Sequence, residues 1–285
     1  MKMPYEKVIR ALQGGAVMAE YGPMRLVITA FVGRVAQQEM SRRAAQESFG
    51  YLERLARLRG LLSLRFSKIP EDLDDSLAIQ MVQSAVAVGD EDLTPMAAVA
   101  GTISDAVADF LFNCGMTKVV VDNGGDVAIR LQKGSSVTVG IRPDIGKQDI
   151  FDVIALDSRA SSWGVSTSGL GGRSLTRGVA SAATVIARNA SLADAAATAI
   201  ANASFVNDEH VIQRLAEEID PETDIAGVPV TVRVGPLSQE KTADALLRSM
   251  EKADELIKEG IILGSFVAVQ GKVAMTRFFE DCLVR

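Results

Sequence analysis

Apolar positions along this chain recur with two spacings, and these mark out its elements. Met24 to Val35 (MRLVITAFVGRV) is dense in β-branched side chains and predicts a strand. Gln37 to Leu61 carries helix formers with opposite charges one turn apart, as in Arg43–Glu47 and Glu53–Arg57, and predicts a helix. Leu77 to Val88 is apolar almost throughout and predicts a buried helix. The first 20 residues follow neither spacing and are expected to be irregular.

Thr94 and Pro95 predict the next helix start, with Thr94 as N-cap and Pro95 at the first helical position. That helix runs to Asn113 and ends near Gly115. Strands are expected over Lys118–Val121, Val127–Leu131, Val137–Arg142 and Phe151–Leu156. From Ser161 the run SSWGVSTSGLGGRSLTRGVAS has few large apolar residues and reads as a long functional loop. Ala182–Ala187 predicts a buried strand. Ser191 is the expected cap of a helix from Leu192 to Ala203, almost pure alanine and aliphatic. A helix so small on every side must be packed closely on several of them.

The last third predicts a helix over Val211–Glu218, a strand over Val228–Val234 and a charged helix over Ser238–Glu259. A hairpin then turns at Gln270-Gly271. Helices and strands do not alternate as βαβ units. The fold class is therefore α+β, antiparallel sheet packed with helices on one face. One domain over residues 1–285 is expected, with two intertwined subdomains as the alternative.

Composition narrows the function. The chain has 285 residues and a net charge of -6, with a pI near 5.0. An acidic chain lacks the basic face of a general nucleic-acid binder. No signal peptide or membrane span is expected, and the expected location is the cytoplasm. Cys114 and Cys282 lack metal-type spacing and read as reduced, partly buried thiols. The single histidine, His210, rules out zinc sites built on several histidines. It stands at the expected exposed start of a helix, poorly placed for a catalytic base.

Four constellations could carry chemistry. Asn123-Gly124-Gly125-Asp126 joins two strands; it is either a plain hairpin turn or a place where backbone meets a ligand, with Asp126 as acceptor. Thr167-Ser168-Gly169, followed by Gly171, Gly172 and Arg173, is either a flexible loop or an anion-binding concavity, with Arg173 and Arg177 adding charge. Asp194 and Thr198 share one helix face and offer hard oxygens suited to Mg²⁺ or Ca²⁺. The alternative for Asp194 is simple stabilisation of its own helix N-terminus. Ala100-Gly101-Thr102 with Asp105 and Asp109 reads as a polar helix face.

The order of these runs resembles that of ApbE-like flavin transferases. AGTISDAVADFL (Ala100 to Leu111) is similar to that family's Lys-Gly-Tyr-Ala-Val-Asp helix. VVVDNGGDVAIRL resembles its strand ending in Asn-x-Gly-Gly-Asp. STSG, SAATVIA and LADAAATAIAN resemble the runs that follow. The likeness covers residues 95–205, and the flanks only loosely. It implies an ApbE-like fold that binds Mg²⁺ and FAD together, with FMN passed to a protein threonine as AMP leaves. It further implies Asp194 and Thr198 as metal ligands, joined by a backbone carbonyl near Val99. Asn123, Gly124, Gly125 and Asp126 would line the nucleotide pocket, with Thr167, Ser168, Gly169 and Arg173 against it.

The chain departs from the pattern in two places. Ala100 stands where the motif has lysine, and no histidine lies between Gly169 and Ser181. These losses count against retained FMN transfer. The expected function is therefore flavin, nucleotide or Mg²⁺-dependent ligand binding. The alternatives are an accessory enzyme for a smaller anionic metabolite, such as a sulfur-transfer or amino-acid intermediate, and a non-catalytic interaction protein that keeps the fold. Expected partners are a small anionic or nucleotide ligand and a second copy of the chain, with neither nucleic acid nor membrane.

Overall fold

The computed structural model describes residues 5–70, 72–146, 149–172 and 174–284. The chain opens with strands, β1 (Val8–Ala11), β2 (Val17–Tyr21) and β3 (Met24–Val32), followed by the short β4 (Val35–Ala36). The first 20 residues are expected to be irregular, yet they hold β1 and all but the last residue of β2. Their regularity comes from pairing: β2 runs antiparallel to β3, and β1 antiparallel to β2. Helices α1 (Gln38–Arg57), α2 (Arg59–Leu62) and α3 (Ser76–Val88) follow. A tight turn over Pro95–Ala98 then leads into α4 (Val99–Asn113).

Strands β5 (Lys118–Asn123) and β6 (Val127–Leu131) form the hairpin around the Gly-Gly turn. A separate hairpin comprises β7 (Ser136–Ile141) and β8 (Asp152–Asp157). Next come β9 (Ser162–Ser168), β10 (Ala182–Ala187) and α5 (Ala190–Ala203). The remainder is β11 (Val211–Leu215), α6 (Ala216–Ile219), β12 (Pro229–Val234), α7 (Gln239–Lys258), β13 (Ile262–Val269), β14 (Lys272–Met275) and α8 (Arg277–Asp281).

Ten strands form one antiparallel sheet in the order β1-β2-β3-β5-β6-β9-β10-β13-β14, with β4 on β3. One face carries α1, α3, α4, α5 and α7 over a core that includes Leu26, Ile28, Met81, Ile103, Leu111 and Ile200. The opposite face is closed by β7–β8 and α8, over Ile129, Leu131, Ile141, Ile154, Trp163, Phe266 and Phe279. The sheet is thus covered on both sides, which explains why every residue of β6 and β10 is buried. The stretch Pro95–Asn113 has the length and apolar composition of a membrane-crossing helix. Its apolar side chains pack against α1, α5, β5 and β6, and its Asp105 is buried within the chain.

Three further expectations give way. The first third of the Ser161–Ser181 run is a central strand, β9, paired with both β6 and β10. Its positions toward α5, Gly164, Ser166 and Ser168, are small because α5 presses on them. A Cβ on Gly164 would lie 2.1 Å from the carbonyl of Asn189. Val211–Glu218 is β11 followed by the single turn α6, because β12 supplies a partner strand. Cys282 is buried, whereas Cys114, expected to be partly buried, is exposed.

Candidate functional site

The site forms where α4 meets α5. Gly101 permits this crossing: a Cβ there would lie 2.2 Å from the carbonyl oxygen of Ala190. No large side chain separates the helices, so their first turns lie backbone to backbone. The Gly101 N–H donates to Asp194 Oδ2 at 2.9 Å. In return, Asp105 on α4 accepts from the first turn of α5, at 3.1 Å from Ala190 N and 2.9 Å from Ser191 N. Each helix therefore caps the other with a carboxylate four residues beyond its own crossing point. An unsatisfied N-terminal N–H is the reason such a cap stabilises.

The expected caps are replaced by this arrangement. Thr94 does not cap α4; its hydroxyl donates to the carboxylate of Asp224. Asn189 takes the place expected for Ser191, accepting from Leu192 N at 2.8 Å. The Ser191 hydroxyl is buried and bonds to Ser84 and Thr102 at 2.8 and 2.7 Å.

The two carboxylates sit in opposite electrostatic surroundings. Asp105 is 1% exposed, and Arg130 of β6 reaches it at 2.9 Å while also holding Asp109 at 2.6 Å. Gln80 adds a fourth donor at 3.2 Å. Burial pushes the Asp105 carboxyl up, against the opposing pull of Arg130 and of the Ser191 and Ala190 N–H groups. Asp194 is half-buried, and the charge that acts on it most is that of Asp126. Burial first, and Asp126 second, push its carboxyl well above the ordinary value, while Gly101 and Ala100 N–H groups act the other way.

The β5–β6 turn is tied to the same place. Asn123 is buried; its Nδ2 donates to the Ala100 carbonyl and its Oδ1 accepts from Arg25 N, both at 3.3 Å. The carbonyl of Asp126 accepts from Ser104 Oγ at 2.8 Å. Gly124 and Gly125 have φ of 71° and 114°, which a side chain would resist. The Gly125 N–H is used within the turn, by Asp122 Oδ1 at 2.8 Å. Its outer side is open, since a Cβ there would meet nothing within 4 Å.

The structure therefore brings Asn123, Asp126, Ala100, Gly101 and Asp194 together. Thr198 lies one turn beyond Asp194 and donates to its carbonyl at 3.1 Å. Its hydroxyl oxygen keeps a lone pair for another partner. The Thr167-Ser168-Gly169 run is split by strand alternation. The neighbouring Ser166 reaches the Ala190 carbonyl at 3.4 Å, so Ser166 and Ser168 face α5. Thr167 points to the other face, where its hydroxyl meets that of Thr184 at 2.9 Å. Thr167 thus does not share a face with Asp194.

Arg173 lies outside the described residues. Arg177 pairs with Asp90 at 2.8 Å and with Asp92. It lines a cavity of about 600 Å³ with Asn202, Gln213 and Lys252. Asn202 is eight residues past Asp194, roughly 12 Å along the helix. His210 is half-exposed and bonds to Asp208 at 2.8 Å, away from the crossing.

Sequence reasoning missed the role of Asp105 and of Arg130. The available signal was Arg130 itself: an arginine inside the strand VAIRL demands a buried acid.

The hard-oxygen set at the crossing comprises two carboxylates, a helix-start carbonyl and a threonine hydroxyl. It fits a divalent cation on chemistry, since adjacent carboxylates in a partly dry site call for positive charge.

Fold and site together define a member of the ApbE-like superfamily, on a divergent branch. A family model described as "AbpE bacteria" matches residues 9–275, and the chain belongs to that family. In fold, the chain is similar to flavinyl transferase ApbE of Pseudomonas stutzeri in its apo form, with a TM-score of 0.52, 15% identity and 100% of each chain covered. In sequence, it is similar to a UPF0280 protein of Methanosarcina barkeri, 38% identical over 152 residues, 53% of this chain and 57% of that one. It is also similar to a UPF0280 protein of Methanocaldococcus jannaschii, 32% identical over 171 residues, 59% of this chain and 68% of that one. The chain spans about half the length of most of these curated relatives, for example 50% and 43% of two others.

Proposed function

We propose that this chain binds a divalent cation, Mg²⁺ by the chemistry of its donors, together with a flavin nucleotide such as FAD at the α4–α5 crossing. The observation that carries this reading is the contrast between the two capping carboxylates. Asp105 has Arg130 as its counter-charge; Asp194 has Asp126, a second acid, as its neighbour. A cation at Asp194 would supply there what Arg130 supplies at Asp105. Asp194, Asp126 and Thr198 would hold it, with the helix-start carbonyls near Ala100 alongside. A bound Mg²⁺ would offset the charge on the ligand's phosphates.

The chain's own residues set the geometry. The Gly101 N–H holds Asp194 Oδ2, and the Ala100 N–H also acts on the carboxylate, so the start of α4 sets its direction. Asn123 fixes the Ala100 carbonyl, and the open backbone at Gly125 allows a flat ligand to approach. The family membership and the likeness to a flavinyl transferase support the choice of a flavin nucleotide. Transfer of FMN is the finer reading. Ala100 in place of lysine weighs against it, so the proposal is binding first.

The test is a titration with FAD, with and without Mg²⁺, followed by flavin fluorescence. Mg²⁺-dependent binding that Asp194→Ala abolishes is the expected result, with AMP release then measured for transfer. Equal binding by Asp194→Ala in the presence of Mg²⁺ would overturn the reading.

A further inference from the structure

We infer that Asp105 is a positioning residue of the cation site, setting the direction of Asp194 by holding the first turn of α5 on its own carboxylate. This inference rests on the reading of Asp194 as a cation ligand. Ala190 and Ser191 are the first residues of α5, and their N–H groups both end on Asp105. Asp194 follows one turn later, so the rotation and height of that first turn decide where its carboxylate points.

Asp105 is itself fixed from two other elements: Arg130 of β6 binds Oδ1 at 2.9 Å, and Gln80 of α3 binds Oδ2 at 3.2 Å. The carboxylate is 1% exposed and has no room to pivot. Three elements thus converge on an acid that does not touch the proposed cation. Outer groups of this kind typically tune metal affinity by about 10–100-fold.

An asparagine at 105 tests this closely. In either orientation its NH₂ would face two donors, Ala190 N and Arg130 or Ser191 N and Gln80. Ser191→Ala is the control: it removes the hydroxyl bonds to Ser84 and Thr102 and loosens the same turn, but keeps the N–H on Asp105.

The experiment measures Mn²⁺ affinity of the full chain, alone and with FAD, by the electron paramagnetic resonance signal of free Mn²⁺. Thermal melts are taken on the same samples. Asp105→Asn is expected to weaken Mn²⁺ binding about 10–100-fold. Ser191→Ala is expected to lower the melting temperature and leave the affinity within about twofold. Should Asp105→Asn not fold, Arg130→Gln carries the test, because it removes the arginine's hold on Oδ1 while leaving the carboxylate to accept from Ala190 N and Ser191 N; a weakening in the same direction is expected. Wild-type affinity in Asp105→Asn, with Asp194→Ala unable to bind, would overturn the positioning role and leave the site standing. Equal weakening by Ser191→Ala would overturn it as mere loosening. Absence of Mn²⁺ binding by wild type in both conditions would overturn both readings.

Discussion

The Asp194 carboxylate and the Gly101 N–H meet at 2.9 Å, joining positions 93 residues apart in the chain. No side chain of α4's own N-terminal flank accepts from its first turn. The cap comes from α5 instead, and it requires that position 101 have no side chain. Gly101→Ala would drive a methyl into the Ala190 carbonyl, 2.2 Å away. We expect it to destabilise the fold by about 3 kcal/mol or more and to abolish Mg²⁺-dependent ligand binding. Gly50→Ala is the matched control, at an exposed position of α1 with nothing within 4 Å of its Cβ. It should stabilise by about 0.5–1 kcal/mol, and denaturant unfolding of both variants checks the pair.

Asp194 also gives a signed pH dependence. Its carboxyl is raised above 3.8 in the folded chain, by burial first and by Asp126 next. A group raised on folding holds its proton more tightly in the native state. Its contribution is therefore fully present below pH 3.8 and is lost as pH rises through the raised value. Asp194→Asn mimics the protonated form. Without divalent cation, its melting temperature should match wild type at low pH and exceed it increasingly as pH rises. Millimolar Mg²⁺ should narrow that gap by stabilising wild type. A gap independent of pH would contradict the assignment.

Arg130 reaches two acids from within a strand whose every residue is buried. Removing it alone leaves Asp105 without its counter-charge. Arg130→Met is expected to cost about 3–5 kcal/mol. The double variant Arg130→Met with Asp105→Asn should recover part of that loss, because no unpaired buried charge remains. A double-mutant cycle measured by urea unfolding checks the coupling; strict additivity would mean that the pair does not act as one unit.

Arg177 separates the leading reading from a small-anion site. Its guanidinium is engaged by Asp90 and Asp92, and it lies beside a cavity further down α5. Arg177→Ala should therefore leave FAD affinity within about twofold, as expected for additive, separated sites. A larger loss would place the nucleotide at that cavity.

Much of this molecule was legible in its sequence, for local reasons. Asn123-Gly124-Gly125-Asp126 announced a turn, because paired glycines adopt φ values other residues resist. The alanine-rich run around Asp194 announced a helix enclosed on several sides, because small side chains let backbones approach. The antiparallel α+β class followed from helices and strands that do not alternate as βαβ units.

What the tertiary structure alone decided was partnership. The strands at β1, β2 and β11 have weak patterns and exist because a neighbouring strand completes their hydrogen bonds. Serine and glycine in β9 read as a loop, since what excludes larger residues there is α5, a distant segment. Thr167 followed the site motif in sequence but faces the far side of the sheet, because strand side chains alternate. Asp105 and Asp194 looked alike as acids on helices. Long-range packing put Arg130 beside one and Asp126 beside the other, and no local pattern encodes that choice.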